Sequence, residues 1–235
     1  MGHFRLPLEG KTIMINSGHG AQKGPSLVDE GAKAKSGKKI IKEADLNDKV
    51  AINVKRKLTK LGAEVIYLDN MPLPMIRKIQ EGVKADLFVS IHHDSKPAGF
   101  KHNSGETIFA FGEKSTPLAQ TINKWFKQDD TIPNNGINSA WAQQLYVLQS
   151  SNIIPSVLVE VGHMSNKNEL KILNKQEYQD IEAQNIVEGI RDFFRLPVKK
   201  KPQYKSSINN ENFRKYKTYK TTPPNPFFGH KDLIK

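Results

Sequence analysis

Short β-rich apolar runs alternate with segments of helical period along most of this chain, and that alternation constrains the fold more than any other feature. Runs at 12–16, 64–68, 87–91, 107–111 and 157–161 have the composition of strands. Between the first two, Leu46, Val50, Val54, Leu58 and Leu61 recur at helical spacing, and Gly62 follows as a stop signal. Further helices are predicted near 74–83, 117–126 and 175–194, with a short strand at 145–148. Residues 21–42, polar and rich in Gly and Lys, read as a surface loop. Strands alternating with helices imply the α/β class: a single three-layer domain, its mostly parallel or mixed sheet covered by helices on both faces.

Of the 235 residues, 1–197 make up this domain, and Pro197 marks its end. Residues 198–235 mix Lys, Asn, Tyr, Thr and Pro without periodicity, so a basic, disordered, low-complexity tail is expected there. From Lys199 onward, ten Lys or Arg residues face only Glu211 and Asp232, so the tail carries +8 of the net +12. Such a segment would attract a polyanion, anionic wall polymers included. Nucleic-acid binding would rest on the tail alone, where Tyr204, Tyr216 and Tyr219 stand among the lysines; a charge run is more often a solvated face, so this partner is not expected.

With no cysteine, a disulfide scaffold, a Cys-ligated zinc ribbon and a thiol nucleophile are all excluded. No apolar run approaches membrane-spanning length, and residues 1–8 show no apolar core for a signal peptide.

Candidate chemistry gathers at strand ends. His19 follows the first strand, His92 ends another, Glu160 lies near the end of a third, and Glu43 opens the first helix. In open α/β sheets, ligands collect at the carboxyl ends of strands. Two imidazoles and one carboxylate would make a zinc site with a fourth position open, and a second carboxylate could accept a proton. Each residue also has a plain structural role: His as a turn or surface residue, Glu43 as a partner of the helix dipole. Glu160 fits such a role least, because three apolar residues precede it in a strand expected to be buried.

Four segments, in order, resemble the zinc-dependent N-acetylmuramoyl-L-alanine amidases (amidase type 3 catalytic domain). Ser17-Gly18-His19-Gly20 is similar to the family's Asp-Pro-Gly-His-Gly turn, and Glu43-Ala44-Asp45-Leu46-Asn47 to its Glu-x-x-x-Asn helix start. Val89-Ser90-Ile91-His92 matches a Ser-Ile-His strand end. Residues 155–166 resemble the closing Pro-x-x-Leu-x-Glu-x-Gly-x-x-(Ser/Thr)-Asn motif. The resemblance implies a zinc-exopeptidase-like fold, Zn2+ held by His19, Glu43 and His92, and Glu160 as the catalytic carboxylate. It also implies hydrolysis of the bond between N-acetylmuramic acid and L-alanine in peptidoglycan, outside the cytoplasm.

Neighbouring strand residues point to opposite faces, so His93 should not share a metal with His92 and is expected to line the groove or meet solvent. Three departures stand out: Ser17 replaces a Pro, His163 stands where the family usually has Phe, and Asp69-Asn70 replaces a frequent Thr-Arg. A neutral ring filling the Phe space is expected of His163. Two other functions share these residues, a zinc exopeptidase acting on free peptides and a non-catalytic wall-binding module. Retention of all four candidate positions argues against the second.

Overall fold

A computed structural model describes residues 5–96 and 104–195. The chain runs β1 (Thr12–Ser17), β2 (Gln22–Gly24), β3 (Leu27–Val28), β4 (Lys33–Ser36), β5 (Lys39–Lys42), α1 (Glu43–Lys60), β6 (Glu64–Leu68), α2 (Leu73–Gly82) and β7 (Leu87–Asp94). It continues with β8 (Glu106–Phe109), α3 (Ser115–Phe126), β9 (Asn134–Asn138), α4 (Ser139–Ala142), β10 (Ser156–His163), α5 (Lys167–Leu173) and α6 (Gln176–Phe193).

The central sheet has the order β6-β1-β7-β10-β8-β9. Strands β6, β1, β7 and β10 are parallel, β8 runs antiparallel to β10, and β9 is parallel to β8. Strand alternation divides the apolar side chains between two layers. Ile13, Ile15, Val89, Ile91, Val157 and Val159 pack against residues of α1, α3 and α6. Met14, Phe88 and Leu158 face the other way, onto Ile76 of α2 and the 145–154 segment. This is the three-layer α/β domain expected from the sequence, with β7 and β10 buried throughout as central parallel strands.

Several local expectations are corrected. Residues 21–42 form two antiparallel hairpins, β2–β3 and β4–β5, rather than a plain loop. Residues 146–148 form a 3₁₀ turn instead of a strand. The outer position beside β8 is filled instead by β9, whose sequence Asn-Asn-Gly-Ile-Asn has no apolar alternation to reveal it. Helix α5 was also absent from the sequence reading; Asn166 caps it by accepting hydrogen bonds from the backbone N–H groups of Asn168 and Glu169. The expected tail, 198–235, lies outside the described residues.

Candidate metal centre

His19, Glu43 and His92 meet at the carboxyl edge of the sheet. His19 sits in the turn leaving β1, Glu43 is the first residue of α1, and His92 lies near the end of β7. Glu43 Oε1 is 3.2 Å from His19 Nε2 and 3.0 Å from His92 Nδ1. One donor atom from each of the three residues falls within 4.8 Å of the others. An ion bound at ~2.1 Å in tetrahedral geometry needs donors about 3.4 Å apart, so these residues fit a single small cation with little movement.

The surroundings leave no slack. A Cβ on Gly18 would stand 2.2 Å from the His92 ring, and one on Gly31 would stand 2.7 Å from both Glu43 Oε2 and His19 Cδ2. The N–H of Ala32 donates to Glu43 Oε2 at 2.9 Å, which leaves Oε1 for the two imidazoles. Burial alone would raise the Glu43 pKa, yet the His19 and His92 contacts hold it well below the usual carboxylate range. For His19, burial disfavours the charge, but Glu43 and then Asp29 more than reverse this and lift its pKa to about 9.

Glu160 stands beside this triad. It is the register partner of His92 across the parallel β7–β10 pair, on the sheet face shared by Phe88 and Leu158. The residue is 3% exposed, and its Oε2 has no hydrogen-bond partner. Burial first, then the Asp94 and Glu43 charges, push its pKa well above the ordinary value, with Lys96 opposing. A buried carboxyl oxygen with no partner is destabilising in a purely structural residue. It suits a group whose counterpart arrives with substrate or metal.

His93 does not line the groove or meet solvent, contrary to expectation. It is 2% exposed and turns to the α1 side, where its Nδ1 lies 2.7 Å from Asn47 Oδ1. Burial holds its pKa down at about 3, so the ring is neutral. Pointing away from His92 was legible from strand alternation; coverage by α1 was not. His163 is 1% exposed, with Nε2 3.3 Å from Asp94 Oδ2. It fills buried space.

Two residues that were assigned no role from the sequence support the centre. Asn47, one helical turn after Glu43, donates to Gly18 O at 2.9 Å and so ties α1 to the His19 turn. Its i,i+4 spacing from Glu43 was the available signal. Asp29, whose Oδ2 lies 3.1 Å from His19 Nδ1, had no comparable signal, because it belongs to the stretch read as loop. Asp69 and Asn70 line an open cleft of ≈ 490 Å³ that borders the centre at His19.

The sequence matches a family described as N-acetylmuramoyl-L-alanine amidase over residues 13–192. Among curated proteins it is similar to a probable cell wall amidase LytH of Staphylococcus epidermidis, 31% identical over 188 residues. That match covers 80% of this chain and 60% of the relative, so the chain spans about three-fifths of the length of the curated relatives it matches. Among solved structures, the catalytic domain of the amidase CwlV from Bacillus (Paenibacillus) polymyxa var. colistinus is 29% identical. That match has a TM-score of 0.68 and covers 80% of this chain and 99% of the other. The amidase AmiC2 of Nostoc punctiforme is 28% identical, with a TM-score of 0.67 and coverage of 79% and 97%.

Proposed function

Since the chain belongs to the N-acetylmuramoyl-L-alanine amidase family, we propose that it hydrolyses the amide bond between N-acetylmuramic acid and L-alanine in bacterial peptidoglycan. In this reading His19, Glu43 and His92 hold Zn2+, and Glu160 is the catalytic carboxylate. The observation that carries it is the convergence of two imidazoles on Glu43 Oε1, with a buried carboxylate on the strand beside them. Such a His₂-carboxylate set leaves a fourth position for water or substrate.

Zinc bound there would polarise the scissile carbonyl and bring the pKa of a water molecule towards ~7. The protein supplies the rest. Glu160 accepts the proton of the attacking water and returns it to the departing L-alanine nitrogen, so that no charged amide nitrogen has to leave. Its pKa, raised by burial and by Asp94 and Glu43, would be lowered by a cation held at the neighbouring ligands, which favours the carboxylate form needed of a base. Without metal, the two imidazole contacts hold Glu43 ionised; with zinc bound, the cation would take over that role. The substrate places the reaction in the wall compartment, outside the cytoplasm. The +8 of residues 199–235 would add attraction to anionic wall polymers.

Digestion of purified sacculi tests the reading, with mass spectrometry of the new ends. Free lactyl carboxyl groups on the glycan, together with new L-alanine amino termini, are expected. Cleavage confined to peptide–peptide bonds would make the protein a peptidase instead. No new ends at all would leave a binding module.

A further inference from the structure

The geometry points to Asp29 as the positioning residue of the metal centre, acting through His19 and not on the substrate. The inference rests on the zinc reading above. His19 has φ 66°, a left-handed conformation that is disfavoured for a residue with a side chain and persists only where its surroundings impose it. Asp29 supplies much of that constraint. Its C=O accepts from the N–H of Gly20 at 2.6 Å, and its own N–H donates to Ala21 O at 2.8 Å. These two bonds close the β2–β3 hairpin onto the turn that carries His19.

The side chain completes the arrangement. Asp29 Oδ2 lies 3.1 Å from His19 Nδ1, while Oδ1 accepts from the N–H of Gly31 at 3.3 Å. An imidazole that donates Nδ1–H to a carboxylate offers Nε2 to a metal once the cation takes the place of the Nε2 proton, and His19 Nε2 is the atom facing Glu43. Three residues on from Asp29, the N–H of Ala32 fixes the other oxygen of Glu43. Residues 29–32 therefore grip two of the three proposed ligands from outside.

The competing structural role for Asp29 is its ion pair with Lys23, at 3.5 Å. The Lys23 side chain is 42% exposed, and an exposed pair of that length contributes little. The His19 contact is shorter and more buried.

Zinc affinity of the 235-residue chain, measured by competition with a chromophoric chelator, separates these roles. Asp29→Ala should bind zinc about 10–100-fold more weakly, the usual effect of removing an outer partner of a metal-bound histidine. Asp29→Asn keeps an acceptor for Nδ1–H and should recover most of that loss, while Lys23→Ala should bind like the parent. Imidazole ¹⁵N NMR of the zinc-loaded parent should show the His19 proton on Nδ1, a readout independent of how any variant folds. A His19 proton on Nε2, parent-like affinity in Asp29→Ala, or no recovery in Asp29→Asn would each overturn the assignment while leaving the amidase reading intact. A parent protein that takes up no zinc would overturn both.

Discussion

Glu160 and His92 face one another across the parallel pairing of β7 and β10, one offered as proton carrier and the other as metal ligand. This pairing makes Glu160→Gln informative, because the substitution keeps the shape and removes the proton acceptor. In the metal-free protein Glu160, its pKa raised, is inclined to neutrality, so the melting temperature of the metal-free variant should stay close to the metal-free parent's. Zinc content should also be unchanged, while muropeptide release falls roughly 10²–10⁴-fold. Measuring all three on one preparation decides the matter: zinc loss would make Glu160 a ligand, and near-normal turnover would remove it from the chemistry.

Adjacent histidines with opposite directions should fail in different ways. His92→Ala should abolish zinc binding. His93→Ala should keep the metal but lose about 1–3 kcal/mol of stability, since Asn47 Oδ1 is left buried without its 2.7 Å partner. Metal content and urea denaturation of the two variants check this, and the reverse pattern would reassign the ligand.

Gly18→Ala tests how tightly the centre is built. A Cβ 2.2 Å from the His92 ring requires that ring to move. Zinc affinity should drop even though no ligand is altered. Retention of parent affinity would show that the turn can yield.

Buried Glu169 predicts a pH dependence away from the metal. Burial lifts its pKa from 4.5 to about 7, against hydrogen bonds donated by Ser104, the N–H of His163 at 2.7 Å and the N–H of Gly105 at 2.9 Å. The folded state keeps a proton that the unfolded chain releases above ~4.5, so this contribution to stability is full below that pH and is lost as pH rises through 7. Glu169→Gln should flatten that part of the stability–pH curve. It should also lower stability by about 1–3 kcal/mol, because an amide NH₂ must face one of these donors. Denaturation midpoints at pH 5, 6, 7 and 8 would reveal both effects.

The basic C-terminal segment is separable by salt. A protein ending at Pro197 should still cleave soluble muropeptides but bind sacculi less well at low ionic strength. The difference should fade as salt screens the charge. Equal binding by both forms across a salt series would remove the segment from wall recognition.

Residue order alone determined the layered fold, the principal strands and helices, and the four motifs that single out His19, Glu43, His92 and Glu160. Apolar periodicity and strand alternation are local properties, so both layers of the core and the outward turn of His93 from His92 could be read directly. Strand β9 and the hairpins of residues 22–42 could not: β9 lacks apolar alternation and takes its place from β8, far back along the chain, and the hairpin strands are only two to four residues long. The same holds for the site's support. Asp29 reaches His19, and the Ala32 N–H reaches Glu43, only once β1, the hairpins and α1 have packed together. A residue type at a strand end announces chemistry, but the distance between two such residues, and the burial that shifts their pKa values, are set by tertiary packing.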